Sequence, residues 1–155
     1  MKKKQSISSW LQNEVNMNRA MSVVCDSGDT NPFSPRLPIP AINVFRARLA
    51  REHNECFYCV FFDEKGRYVG VKKISEGTLN QCIVFFRRVV KEALDVNAHF
   101  LVYVHNHPSG NKKPSSEDEE ITRNHKKILK DYGLKLVDHI IVTTGGHFSF
   151  LEEGF

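Results

Sequence analysis

The run HFLVYV at residues 99–104 restricts the fold of this 155-residue chain more than any other stretch. It is short and almost entirely apolar, with no alternation between apolar and polar positions. Runs of this kind are typical of a central strand whose two faces are both covered by other elements. The run therefore predicts a sheet with its middle buried, and the remaining elements have to provide the cover.

Segments with helical and strand-like patterns alternate around this run. Residues 41–53 and 83–96 place apolar side chains at the spacing of amphipathic helices. Between them, CFYCVFFD and RYVGVKKI are two β-rich runs separated by EKG, which predicts a hairpin with Gly66 in its turn. The stretch SEGTLNQ then predicts a second turn.

The last third of the chain predicts a third helix and a closing hairpin. Ser115 followed by Asp118 resembles a capping box, and Gly133 is placed as the glycine that ends the helix. LKLVDHIIVTT and HFSFLEE then form two strands joined through a Gly-Gly turn. The whole order of elements predicts an α/β fold, with a mixed β-sheet flanked by helices.

The segment before residue 39 differs in character from the rest. Residues 1–38 mix polar residues with CDSGDTNPFSPRLPIP, whose closely spaced prolines and turn formers argue against one continuous element. We predict a partly irregular N-terminal extension over 1–38 and a single domain over 39–155.

Composition is typical of an ordinary globular protein, at 41% hydrophobic and 26% charged residues. No apolar run approaches the roughly 20 residues that cross a bilayer, and the basic start lacks the apolar core of a secretion signal. We therefore expect a cytoplasmic protein with no membrane association. A net charge of +4 permits weak association with DNA without requiring it, because basic stretches such as RNHKKILK are more typical of a solvated helix face.

The four cysteines show no spacing of a secreted disulfide framework, and we expect reduced thiols that pack as small apolar side chains. Cys56 and Cys59 form a Cys-x-x-Cys pair, but residues three apart in a strand point to opposite faces. Cys25 and Cys82 have no such neighbour.

The stretch VHNHPSGNKKPSSEDEE at residues 104–120 carries the strongest chemical signal. A metal site, a nuclease suggested by the letters H-N-H, and a polar loop are the three interpretations. In an extended segment His105 and His107 share a face, and Asp118, one turn into the next helix, can add a carboxylate. Two imidazoles, a carboxylate and an open position are the donor set of catalytic zinc.

A hydrolytic site also needs a base and a group that stabilises an oxyanion. Glu55, just before the strand CFYCVFFD, and Ser115 are the candidates. Ser115 also suits the N-cap of its helix, so both roles fall on one hydroxyl.

The pattern His105-x-His107 followed by Ser115-x-x-Asp118 resembles the JAMM signature of MPN/JAB domains. The fuller form HNHPSG…PS..D, with EGTL upstream and DHIIV downstream, is similar to the RadC branch over residues 40–155. The resemblance implies a cytidine-deaminase-like α/β/α sandwich with Zn²⁺ held by His105, His107 and Asp118. It also implies that Ser115 stabilises the oxyanion.

The resemblance further implies an upstream glutamate that binds and deprotonates the water. Glu55 matches that position because it leads into the first strand, and Glu76 in SEGTL is the alternative. The nuclease interpretation fails because HNH nucleases scatter those letters across a ββα unit. We expect His125 to be a packed core residue, whereas His139 is either a core residue or a hydrogen-bond partner of a metal ligand.

Two functional hypotheses remain. The first is a JAMM-type zinc hydrolase that cleaves an amide or isopeptide bond in a peptide or protein. The second is an accessory protein of DNA repair or mobile elements, with a structural or vestigial zinc site. Salt-sensitive DNA binding that survives zinc removal would favour the second. The sequence indicates no particular oligomeric state.

Overall fold

A mixed five-stranded sheet forms the centre of the protein. The computed structural model describes residues 7–26, 35–77 and 86–155. The helices of these residues are α1 (Ile7–Asp26), α2 (Ile39–Leu49), α3 (Phe86–Asp95) and α4 (Ser116–Ile128). The strands are β1 (Cys56–Phe62), β2 (Tyr68–Glu76), β3 (Phe100–Asn106), β4 (Lys135–Thr143) and β5 (Gly146–Ser149). Most of the predicted turn SEGTLNQ and the start of the helix predicted over 83–96 lie outside the described residues.

Strand β3 occupies the middle of the sheet, as its apolar run predicts. The spatial order is β2-β1-β3-β4-β5. β3 and β4 run parallel, with α4 in the connection between them, and the other neighbours are antiparallel. The prediction of an α/β fold with a mixed sheet is confirmed.

Two apolar clusters cover the two faces of the sheet. One contains Val102 and Val104 of β3 and the inner side chains of α1 and α2, such as Phe45. The other contains Leu101 and Tyr103 of β3 and the inner side chains of α3. This alternation along β3 follows from the two-residue repeat of a strand. The result is a three-layer α/β/α arrangement.

Helix α1 is a feature that the sequence analysis did not predict. Its inner side chains Met17, Met21 and Cys25 recur every four residues and are buried against the sheet. The Asn18 amide accepts a hydrogen bond from Val71 N–H at 3.1 Å and donates to Val71 O at 3.3 Å, on the outermost strand β2. Residues 7–26 of the extension therefore form a packed helix.

The predicted start and stop signals of the third helix are both present. Ser115 Oγ accepts a hydrogen bond from Asp118 N, and Asp118 Oδ2 accepts one from Ser115 N, which completes the capping box. A short 3₁₀ helix, Leu129–Tyr132, continues α4 and ends at Gly133 with φ 70°.

The closing hairpin is shorter than the sequence predicts. β5 ends at Ser149, although the prediction extended it through HFSFLEE. The buried Asp138 carboxylate accepts hydrogen bonds from Ser149 Oγ and from Leu151 N, and these bonds turn the chain away from the sheet. Burial raises the pKa of Asp138 in spite of these donors.

The cysteines follow the prediction where they are described. Cys25, Cys56 and Cys59 are buried, and Cys82 lies outside the described residues. Cys56 belongs to the cluster under α1 and α2, and Cys59 to the cluster under α3, so the two point to opposite faces. Burial raises the pKa of the Cys59 thiol well above its usual value.

None of the helices in the described residues is both long enough and apolar enough to cross a membrane.

His125 is a core residue, as predicted. It is 8% exposed, its Nδ1 lies 2.7 Å from the Tyr103 hydroxyl, and its ring packs edge-on against Phe86. Burial lowers its pKa to about 4, because the charged imidazolium would lose its hydration in this position.

We predict that His125 makes the fold sensitive to acid. The unfolded chain takes up a proton at His125 near pH 6.5 and the folded chain only near pH 4, so stability falls as pH decreases through that window. The free energy of unfolding should fall by at most about 1.4 kcal/mol per pH unit from this group. Urea denaturation of chelator-treated protein between pH 7.5 and 5 measures it.

The control is His125→Asn, which retains an acceptor for the Tyr103 hydroxyl. Its stability should depend less steeply on pH than that of the wild type, although its absolute stability is lower. Parallel pH profiles for the two proteins would contradict the prediction.

Candidate metal centre

The end of β3 places His105 and His107 on one face of the sheet. His105 pairs with Phe57 of β1 and Ile141 of β4, and its side chain is fully buried. The N–H of His107 donates to Val142 O at 3.2 Å, so the chain stays extended just beyond the last residue of the strand. The shared face that the H-x-H spacing predicts therefore exists.

Helix α4 brings Asp118 to the same point. His105 Nε2 lies 3.2 Å from Asp118 Oδ1, and His107 Nε2 lies 3.1 Å from Asp118 Oδ2. The two Nε2 atoms are 3.0 Å apart. The three predicted metal ligands thus direct two nitrogens and a carboxylate towards a common centre.

This donor set fits a metal ion. His107 Nδ1 lies 2.7 Å from Asn111 O, and a carbonyl only accepts, so Nδ1 carries a proton. A neutral His107 therefore presents an unprotonated Nε2 to the cluster. Imidazole nitrogen together with one carboxylate is the donor chemistry that suits zinc and leaves a position open.

Charge in the cluster is concentrated on Asp118. Burial alone would favour its neutral form, but the imidazoles of His105 and His107 and the hydrogen bond from Ser115 N–H hold its pKa well below the usual range. Burial acts against the charged form of His107, yet the hydrogen bond to Asp118 and the Asn111 carbonyl raise its pKa above the ordinary value. The carboxylate is therefore ionised and able to bind a cation.

His139 also lies close to this cluster. A ligand atom of His139 lies within 4.8 Å of ligand atoms of His105 and Asp118, so distance alone makes it an alternative ligand. However, His139 Nε2 is 2.8 Å from His105 Nδ1, the ring nitrogen that points away from His107. We therefore interpret His139 as the hydrogen-bond partner of His105 and retain His107, with its shorter contacts, in the ligand set.

Of the two candidate glutamates, the structure brings Glu55 to the cluster. Glu55 Oε1 lies 4.0 Å from His107 Nε2, with 14% of its side chain exposed. Burial raises its pKa, and the nearby His105 and His107 offset part of that rise. Glu76 instead contacts Lys73 Nζ and accepts from Asn54 Nδ2 at 3.1 Å, and the Lys73 contact lowers its pKa.

Asn106, between the two histidines, holds the segment that carries Glu55. Its Oδ1 accepts from Cys56 N at 2.7 Å and its Nδ2 donates to Asn54 O at 3.1 Å. The Asn106 side chain is therefore hydrogen-bonded to the backbone on both sides of Glu55. The Glu55 carbonyl itself accepts from Gly77 N at 2.9 Å.

Ser115 lies at the exposed rim of the site. Its Oγ accepts from Asp118 N at 3.1 Å, which leaves the hydroxyl hydrogen available for another acceptor. A hydroxyl with this arrangement can cap the helix and donate to a substrate oxygen at the same time.

The sequence that forms this fold and carries this motif matches the model of a known protein family. The model of the RadC-like JAB domain matches residues 37–155. The chain belongs to the RadC-like JAB domain family. The match contains all five predicted site residues and also Glu76, the alternative to Glu55.

Curated relatives of this RadC-like JAB domain carry the name UPF0758 protein. One from Actinobacillus pleuropneumoniae serotype 5b (strain L20) is 41% identical over 118 residues, which is 76% of this chain and 54% of the relative. One from Trichlorobacter lovleyi is 39% identical over 117 residues, 76% of this chain and 51% of the relative. One from Fusobacterium nucleatum is 36% identical over 113 residues, 73% and 49% respectively. The chain spans about half the length of these relatives.

Two residues beside the cluster were not singled out by the sequence analysis. Asn106 stands between the two predicted ligands, and its position in the motif was the available signal. Thr122 follows Asp118 by four residues, a spacing that puts both on one face of α4, and its hydroxyl lies 2.6 Å from His139 Nδ1.

We predict that Asn106→Leu destabilises the fold, because it removes the acceptor that the Asn106 side chain offers to the buried Cys56 N–H. The free energy of unfolding should fall by about 1–3 kcal/mol, the cost of one buried hydrogen-bonding group that loses its acceptor. Urea denaturation of chelator-treated protein measures it. Asn124→Leu, on the exposed side of α4, is the control and should change stability by less than about 0.5 kcal/mol. Equal effects of the two substitutions would disprove the role of Asn106.

Proposed function

We propose that this RadC-like JAB domain is a zinc-dependent hydrolase that cleaves an amide or isopeptide bond. The observation that carries the proposal is the convergence of three side chains, with the Glu55 carboxyl beside them. The Nε2 atoms of His105 and His107 are 3.0 Å apart, and each lies 3.1–3.2 Å from one of the two Asp118 carboxylate oxygens. A zinc site that serves only the fold needs neither an open position nor a neighbouring base. The presence of a base at this place supports chemistry over a structural role.

His105, His107 and Asp118 would hold the ion in this proposal. Zinc, when bound, would polarise a carbonyl and lower the pKa of water to about 7. The two imidazoles are fixed before any ion arrives, His105 by its contact with His139 and His107 by the Asn111 carbonyl. Such fixed donors need little rearrangement on binding.

Glu55 would act as the general base and then as the acid. Its carboxylate would take a proton from the attacking water and return it to the amine nitrogen as the carbon–nitrogen bond breaks, so it ends each cycle ionised. Partial burial raises its pKa towards the range in which a carboxyl can both accept and return a proton. Asn106 would keep the carboxyl in reach by holding the backbone on both sides of it.

Ser115 would donate its hydroxyl hydrogen to the oxyanion that develops on the attacked carbonyl. The N-terminus of α4 lies at the same place, and its partial positive charge would assist. The choice of an amide or isopeptide bond follows the family resemblance, and a peptide or protein is the substrate class that fits it.

We predict that the purified protein binds about one zinc per chain and that Asp118→Asn removes most of it. The substitution keeps an acceptor for Ser115 N and removes the charge, so the helix cap should survive. The control is Asp131→Asn, an exposed position after α4, which should retain zinc. Mass spectrometry of chelator-free protein measures metal content. Zinc content that does not respond to Asp118→Asn would refute the ligand set.

We predict that Glu55→Gln keeps zinc but loses hydrolysis by a factor of about 10²–10⁴, the usual contribution of a general base. A library of peptides and isopeptide-linked peptides, incubated with zinc-loaded protein and read by mass spectrometry, reports cleavage. The matched control is Glu76→Gln, which should cleave like the wild type. Loss of cleavage in Glu76→Gln, with activity retained in Glu55→Gln, would reverse the assignment of the base.

A further inference from the structure

Behind the cluster, Thr122 and His139 form a buried hydrogen-bonded chain that starts and ends on proposed metal ligands. Thr122 Oγ1 donates to Asp118 O at 2.6 Å and lies 2.6 Å from His139 Nδ1. His139 Nε2 lies 2.8 Å from His105 Nδ1. Thr122, His139 and His105 are all fully buried, so water does not compete for these contacts.

The hydrogen bond between Thr122 and the Asp118 carbonyl fixes which atom donates and which accepts in the two hydrogen bonds that follow it. A carbonyl oxygen has no hydrogen to give, so the Thr122 hydroxyl uses its single hydrogen on Asp118 O. Thr122 Oγ1 must then accept from His139 Nδ1, which places the His139 proton on Nδ1. A neutral His139 therefore has an unprotonated Nε2, and this atom accepts from His105 Nδ1.

The consequence reaches the metal site. With the proton of a neutral His105 on Nδ1, its Nε2 carries the lone pair that faces His107 and Asp118. The opposite tautomer would direct an N–H into the cluster and exclude a metal ion from that position. The chain of hydrogen bonds thus selects the one tautomer of His105 that can bind a metal.

Aromatic packing holds the imidazole rings of His105 and His139 in the orientation that these hydrogen bonds require. The Phe57 ring stacks on His105 with centroids 5.4 Å apart, and the Phe150 ring stacks on His139 at 5.0 Å. These neighbours oppose rotation of either imidazole, because buried rings in dense packing have little room to turn. The Thr122 hydroxyl thus determines which ring nitrogens of the two histidines carry protons, and the aromatic rings hold the planes of the two imidazoles.

We infer that Thr122 is a positioning residue for the metal centre: by donating its hydroxyl hydrogen bond to the Asp118 carbonyl, it sets the tautomers of His139 and His105. This inference rests on the proposed zinc function and extends it to a residue that contacts neither the ion nor the substrate. Partners of metal ligands at this remove commonly change metal affinity by about 10–100-fold.

The first test compares zinc affinity in Thr122→Val and Thr122→Ser by competition with a chromophoric chelator. Thr122→Val has almost the same shape but no hydroxyl, and it should raise the zinc Kd by about 10–100-fold. Thr122→Ser keeps the hydroxyl and should bind within a few-fold of the wild type. Val89→Ala, in the core under α3, controls for general loss of stability and should leave the Kd unchanged.

The outcomes separate this inference from the proposed function. Zinc binding by wild type with unchanged affinity in Thr122→Val would overturn the role of Thr122 and leave the hydrolase proposal intact. Failure of Thr122→Ser to restore affinity would also overturn it. Absence of zinc binding by the wild type would overturn both.

A second test reads the tautomers directly in metal-free protein labelled with ¹⁵N at histidine. Long-range nitrogen–proton NMR correlations should show His139 and His105 protonated at Nδ1 in the wild type and in Thr122→Ser. In Thr122→Val the His139 signals should shift towards a mixture of tautomers. His139 protonated at Nε2 in the wild type would overturn the inference whatever the zinc result.

Discussion

The burial of His105 at the end of a strand covered on both faces is the constraint on which the rest of the site depends. An imidazole removed from water needs a partner at each ring nitrogen, because an unpaired buried polar group costs about 1–3 kcal/mol. β4 provides His139 as the acceptor for Nδ1–H, and α4 provides the Asp118 carboxylate, which faces the Nε2 lone pair across the proposed metal position. The parallel pairing of β3 with β4 and the docking of α4 are therefore needed together, and an error in either would leave His105 unsatisfied.

The sequence predicted the elements whose signals are local. The apolar run of β3, the helical spacing in α2 and the capping pair at the start of α4 each lie within one segment, and each element is present. The same holds for the shared face of His105 and His107, which needs only an extended backbone. The family resemblance favoured Glu55 over Glu76 as the base. The structure shows the physical difference: Glu76 contacts Lys73, whereas Glu55 faces the histidines.

Features that depend on a partner far away in the sequence were not predicted. Asn106 bonds to a residue 50 positions away, and Asn18 of α1 bonds to one 53 positions away. Neither amide has a local pattern that reveals its partner. The prolines after α1 dominated the interpretation of the N-terminal segment, although Met17, Met21 and Cys25 recur at helical spacing. Thr122 was overlooked for a related reason, since one hydroxyl on an amphipathic helix has meaning only once His139 is known to face it.

The contact between Asn18 and β2 has a consequence for how this protein behaves among copies of itself. An outermost strand presents backbone donors and acceptors that can template pairing with another chain, and many folds need a device against such growth. The Asn18 amide makes hydrogen bonds with both the N–H and the C=O of Val71. A strand from another molecule could therefore not pair with β2 at Val71 without first displacing α1. At the opposite margin β5 is only four residues long. α1 therefore serves as a guard against aggregation as well as a cover for the core.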